Sequence, residues 1–234
     1  MATVEEAVLT ARNCLALGEK AFSRAHDLRT DLGALAALFL ARAGQSLRSV
    51  LLLAPCGLAG DAMSVARTIV ELEIDFLYIA TNPDELIPRF RDYDDVKLHQ
   101  LVDEWERHTR GRVDAGRRQE LFALYSRAKF NHPESGTNWA GIPLEQRADL
   151  VGRKMSYAVF YRDMCRASHS GYGTLTYAMP DRESVRFGPA EPDARPLILA
   201  TASYFVLISS VGYACALREL LPEHTALGAR IGQL

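Results

Sequence analysis

Residues 58–80 read LAGDAMSVARTIVELEIDFLYIA, and the architecture of the chain turns on them. The stretch is so densely apolar that it predicts a deeply buried helix, beginning at Leu58 or Asp61, running to Ala80 and stopping at Thr81-Asn82-Pro83. Within it Arg67 and Glu71 lie four apart and share a face, with Asp75 four further on. Their neighbours Val65, Ile69, Val70, Leu72, Ile74, Phe76 and Leu77 are apolar. Charges in such surroundings are costly unless paired, so Arg67 and Glu71 are expected to meet each other or polar groups on facing helices. Such a pair either fixes helix register or builds a polar site.

Helical signals extend to both sides. Val4 to Leu28 carries apolar residues at three-to-four spacing and predicts one long amphipathic helix. Thr30-Asp31 reads as a start signal for a second helix over Leu32–Leu53, and Ala54-Pro55-Cys56-Gly57 ends it. After the buried stretch, Asn82-Pro83-Asp84-Glu85 offers a cap, a proline at the first helical position and an acid three residues on. The helix that follows carries Leu86, Phe90, Tyr93, Leu101 and Trp105, with a bend expected near Pro88 and a break over Gly111–Gly116. DAGRRQELFALYSRAKF makes a shorter helix, and the turn-formers of Asn131–Pro143 make a loop holding Trp139. Helical periodicity resumes over Leu144–His169, with Tyr157, Tyr161, Met164 and Ser168 along one stripe.

Four of the ten prolines fall between Met179 and Pro196, so residues 179–196 read as an irregular loop. Beyond it, Leu197–Leu217 holds no charge and is long enough to span a bilayer. Its Thr201, Ser203, Tyr204, Ser209, Ser210 and Tyr213 dilute it, however, and the centre of a large bundle also requires an apolar helix. No two strand-like runs lie beside each other. The expected fold is all-α: a single-domain helical bundle of about seven to eight helices over residues 1–234, with an apolar central C-terminal helix.

The 234 residues are 48% hydrophobic and 24% charged, an ordinary globular composition that excludes disordered, collagen-like and disulfide-scaffold classes. A net charge of -2 gives no global pull toward nucleic acid or anionic lipid. The four cysteines form no CxxC pair, and the acidic N-terminus lacks the pattern of a secretory signal, so the expected location is cytoplasmic, without a membrane. Neither Glu-x-x-His nor HExxH occurs, nor a P-loop, a GxGxxG, a GxSxG elbow or an EF-hand loop. No metal and no cofactor is implied.

Two sets of residues remain as carriers of chemistry. Arg67 and Glu71 are one. His169, in YRDMCRASHSGYG, is the other, with Ser168 beside it and Tyr161 eight residues earlier. At a helix end an imidazolium is favoured by the helix dipole, and it also suits a general base or a ligand-binding group. Arg162 and His169 satisfy the Arg, four to six residues, His spacing of the HEPN ribonucleases, as do Arg127 with His132 and Arg218 with His224. Roughly two such matches arise by chance in a chain with this many Arg and His, so the spacing alone decides little.

RTIVELEIDFLYIA with Arg67 and Glu71, then PRFRDYDDVKLHQ with Tyr93, then NWAGIPLEQRADLVGRKMSYAVFYRDMCRASHSGYGTL with Trp139, Tyr157, Tyr161 and His169, together resemble the bacterial helical proteins of domain-of-unknown-function family 5677. The resemblance covers about residues 25–215. It implies an all-α fold and a site on which Arg67, Glu71, Tyr161 and His169 converge, without implying an activity. If the site is enzymatic, the expected chemistry is metal-independent cleavage of RNA, with His169 as acid or base, Arg67 or Arg162 on the phosphate and Glu71 orienting the histidine. If it only binds, it takes a small polar or anionic ligand, with Tyr93, Tyr157 and Ser168 around it and Trp139 as a lid. A third class is a structural cluster in a protein that acts through its surface or as a homodimer.

Overall fold

The structure, a computed structural model, describes residues 2–109, 111–132, 138–168, 190–217 and 221–232. Among the described residues all regular structure is helical. They group into two compact units, Met1–Ala80 with Arg147–Leu234, and Thr81–Gln146.

In the first unit, α1 (Val4–Asp27) starts from a capping box: Thr3 Oγ1 accepts from the Glu6 N–H, and Glu6 Oε2 accepts from the Thr3 N–H at 2.8 Å. A short turn leads to α2 (Asp31–Leu53), capped by the Thr30 hydroxyl. The two pack together, and both bury small residues, Ala11, Cys14, Gly18 and Ala21 in α1 and Ala36, Ala43 and Gly44 in α2. α8 (Arg195–Ala214) packs on both, and α9 (Leu221–Ile231) lies against α1 and α8. The close approach of α8 has a specific cause. Tyr204 of α8 puts its phenol into the notch left by two missing side chains, where a Cβ on Gly18 would stand 2.1 Å from the hydroxyl oxygen and one on Gly44 3.1 Å from it. Burial holds that phenol protonated, and its O–H donates to the Leu40 carbonyl at 3.4 Å.

α2 and α8 are each long and apolar enough to cross a membrane by length and composition alone, and each buries about half of its apolar window within the fold. α8 does so along one stripe, Leu197, Ala200, Tyr204, Leu207, Ile208 and Val211, while Tyr213 is exposed. α3 (Ala59–Thr81) follows the Gly57 turn, where a left-handed φ and the Ala190 carbonyl leave no room for a Cβ. Its Phe76 meets Phe39 of α2 with ring centroids 5.7 Å apart, and Ile69, Val70, Ile74 and Ile79 are buried around it.

One expectation is corrected. Leu144–His169 is not a continuous α-helix: α6 (Leu144–Leu150) ends after two turns, a π-helical segment covers Ser156–Tyr161, and α7 runs over Arg162–Ser168. The stop is made by Gly152 in the left-handed region. Its N–H donates to the Asp149 carbonyl and the Arg153 N–H to the Ala148 carbonyl, a Schellman arrangement that satisfies the last carbonyls of α6.

The second unit is a pair of helices, α4 (Pro83–Thr109) and α5 (Ala115–Asn131), with the Asn138–Gly141 turn. α4 runs unbroken through Pro88. Asp114 caps α5 through the Arg117 N–H, which puts Gly116 inside the helix rather than in the break expected there. Trp139 is buried, edge-on to Phe90 at 5.1 Å.

Candidate functional site

α3 carries acidic residues at 71, 73 and 75, and the chain from α6 to the start of α7 meets all three in reverse order. Arg147 of α6 reaches Asp75 at 2.9 Å, Arg153 after the Gly152 turn holds Glu73, and Tyr161 at the end of the π segment donates to Glu71 Oε1 at 2.6 Å. Glu73 is fully buried, with the Ser203 hydroxyl of α8 beside it, and burial pushes its carboxyl up to about 7 despite the Arg153 charge. These three pairings pin the π segment to α3 at both ends.

The polar cluster sits where the last of them is made. Tyr157 and Tyr161 lie four apart on the π segment, and their rings stack at 5.1 Å, 19° apart. Arg67, one turn before Glu71, lies 5.9 Å from the Tyr161 ring centre, with Nη1 3.8 Å from Cys165 Sγ of α7. Its Nε is 3.7 Å from Glu71, close enough for charge attraction and too far for a hydrogen bond. That Nε is buried and has no hydrogen-bond acceptor among the described residues.

The electrostatics follow from this geometry. Burial works against the Arg67 charge, and Glu71, Cys165 and Tyr161 together outweigh it, so the guanidinium is held charged. Burial and then the hydrogen bond to Glu71 push the Tyr161 phenol up. Tyr161 is thus a fixed proton donor that orients the Glu71 carboxylate, and both Arg67 and Glu71 keep about a third of their side-chain surface open to solvent. The cluster presents a cation with unused donor capacity next to a carboxylate with an unused oxygen face.

A family model described as a family of unknown function, DUF5677, matches residues 33–184, well over half of the chain. The chain belongs to DUF5677. The match takes in Arg67, Glu71, Tyr93, Trp139, Tyr157, Tyr161, Arg162, Ser168 and His169 but not Arg218 or His224, and no curated protein and no solved structure matches the chain.

The sites expected from sequence fall as follows in this DUF5677 protein. Arg67, Glu71 and Tyr161 come together, with Tyr157 stacked behind. Arg162 is exposed and lines a depression of about 500 Å³ with Arg166, Asp163, Phe160 and Leu199. Ser168 ends α7, and His169 lies outside the described residues, as do Arg218 and most of the 179–196 loop. Tyr93 and Trp139 are buried residues of the second unit. There too His132 pairs with Asp92 at 3.5 Å and Arg127 with Asp95 at 3.7 Å, so the residues of that Arg–His spacing are each held by an acid of α4. Among the described residues no three His, Cys, Asp or Glu side chains gather as a metal site requires. Cys165, Arg147 and Arg153 were not singled out by sequence: a lone cysteine reads as a small core residue, and arginines in a short polar helix read as solvated. The unusual carboxylate spacing 71, 73, 75 was the one available signal, since a buried helix cannot leave three acids unmatched.

Proposed function

We propose that this DUF5677 protein binds a small polar ligand, taking an acidic group on Arg67 and a neighbouring hydroxyl or amine on Glu71. One observation supports the reading above the others. Glu71 gives Oε1 to Tyr161 at 2.6 Å and leaves Arg67 Nε buried at 3.7 Å with no acceptor among the described residues. A buried N–H without an acceptor costs about 1–3 kcal/mol, and a guanidinium fork is shaped to take two oxygens of a carboxylate or phosphate side by side. A register-fixing pair would instead turn the carboxylate onto the arginine. The stacked Tyr157 and Tyr161 rings form an aromatic wall against which a planar or sugar-like group rests.

Adenosine 5′-monophosphate and inorganic phosphate are suitable probes, since both bring a phosphate and the first also brings hydroxyls. Isothermal titration is expected to show saturable binding by the wild type, weakened at least tenfold in Arg67→Met and to an intermediate extent in Arg67→Lys, which keeps the charge without the fork. Absence of saturable binding of both probes by folded wild-type protein defeats the reading.

Metal-independent cleavage of RNA is the second reading, and α7 favours it. Arg162 and Arg166 flank an open depression, and Arg162 stands at the HEPN-like spacing from His169 in the sequence. In that reading His169 is the acid or base and Arg67 or Arg162 takes the phosphate. Cleavage of labelled single-stranded RNA in EDTA, lost in His169→Ala, supports it; equal cleavage by both proteins removes it.

A further inference from the structure

α4 uses one face and leaves the opposite one apolar. Asp92, His99, Asp103 and Glu106 turn toward α5 and its C-cap His132, where His99 stacks on Tyr125 at 4.3 Å and Arg118 reaches Asp103 at 2.9 Å. On the far side, Leu98, Leu101 and Trp105 are 39%, 65% and 45% exposed. Single exposed leucines need no explanation, but these three follow each other at spacings of three and four, and Asp94 and His108 extend the same row to 94, 98, 101, 105 and 108. That is the a/d spacing of a coiled-coil seam, carried over two heptads.

The flanking charges say what such a seam meets. Lys97 and Glu104 occupy the equivalent position one heptad apart, immediately before Leu98 and Trp105. In an antiparallel pair of identical helices about a two-fold axis at Leu101, Asp94 falls opposite His108, and Lys97-Leu98 of one helix lies opposite Glu104-Trp105 of the other. Apolar residues then meet apolar ones and acids meet bases, whereas a parallel pair would set Asp94 against Asp94 across the seam. Within the chain, Lys97 lies over the Tyr93 ring at 5.2 Å and Glu104 pairs with Arg107 and His108 at the surface, so neither is committed to a buried partner.

We propose that the exposed face of α4 is an interface with α4 of a second copy of this chain, antiparallel about a two-fold axis at Leu101. The arrangement is isologous: the same patch serves both copies, and the Lys97–Glu104 pair is made twice. The seam spans about four helical turns, so it predicts a dimer that dissociates on dilution in the micromolar range rather than an obligate one.

Sedimentation equilibrium of the full chain from 1 to 300 μM tests it. The wild type is expected to rise from the 25.9 kDa of one chain toward twice that mass. Leu101→Glu is expected to stay at the lower mass throughout, with unchanged helical circular dichroism. Lys97→Glu and Glu104→Lys each weaken association several-fold, and the double swap restores it. A wild type that stays at the mass of one chain over the whole range overturns the proposal and leaves the stripe to a different partner. So does a dimer whose constant neither Leu101→Glu nor either charge reversal changes.

Discussion

α3 and α4 both set acidic residues against arginines, yet the two helices do it in different media. Glu73 of α3 is fully buried against Arg153, and Arg147 is almost as deep beside Asp75. On α4, Asp103 and Glu106 meet an Arg118 whose side chain is 45% exposed. Water screens the second set and not the first, so the same chemistry serves as a fastening in one place and as surface decoration in the other. Where a buried partner is missing the cost is that of a stranded charge; where a surface partner is missing, water takes its place.

The largest effect therefore belongs to Arg153. Arg153→Met is expected to cost about 3–5 kcal/mol at pH 8 in urea unfolding, because Glu73 is left as a buried carboxylate without a counter-charge. The loss shrinks on acidification, since the carboxyl can then take a proton. The wild type carries a milder form of the same dependence. Glu73 titrates near 7 in the folded chain against 4.5 when unfolded, so between those values the folded state holds the proton that the unfolded chain has released. Stability from this group is thus complete below pH 4.5 and falls as pH rises toward 7, by roughly 3 kcal/mol if the whole difference is expressed. Glu73→Gln is expected to flatten that slope. A wild type whose stability rises from pH 5 to 7 by as much as the variant's shows Glu73 to be no different from the acids of α4.

Tyr161→Phe comes next. It removes one charge-assisted hydrogen bond that is half open to water, and about 1–2 kcal/mol of stability should go with it. The informative part is the second consequence. With Tyr161 silent, Glu71 is free to rotate onto Arg67, so adenosine 5′-monophosphate should bind several-fold more weakly even though the phenol need not touch it. Unchanged affinity in Tyr161→Phe, with the stability loss present, separates the structural part of the cluster from the binding part.

How far this difference was legible beforehand depends on the residue. That residues 58–80 form a buried helix with Arg67 and Glu71 on one face was plain from apolar density and spacing, because a one-dimensional pattern determines a helix face. That Glu71 would turn to Tyr161 rather than to Arg67 was not legible, since it rests on the π segment at Ser156–Tyr161. No local propensity announces that segment: Ser-Tyr-Ala-Val-Phe-Tyr reads equally well as an α-helix, and only its fastening to α3 through Arg153 and Tyr161 selects the wider turn. Gly152 was the available hint, a left-handed helix stop inside a run that otherwise looked continuous. Trp139 misled in the other direction, for a tryptophan among turn-formers looks mobile until Phe90 is seen to close on it.

The smallest effect is expected at Arg118, which meets two acids at the surface. It reaches Asp103 at 2.9 Å and Glu106 as well, joining α5 to α4 across the turn. Arg118→Ala nonetheless should cost no more than about 1 kcal/mol, and half-molar salt should shrink that further, since an exposed pair gains little over its hydrated parts and is screened. Both acids also keep other partners: His99 lies 3.4 Å from Asp103, and Glu106 accepts the Val113 N–H at 2.9 Å. A loss above 2 kcal/mol, insensitive to salt, would show that the three charges act as a desolvated network. The contrast between α3 and α4 would then lie in the number of partners rather than in burial.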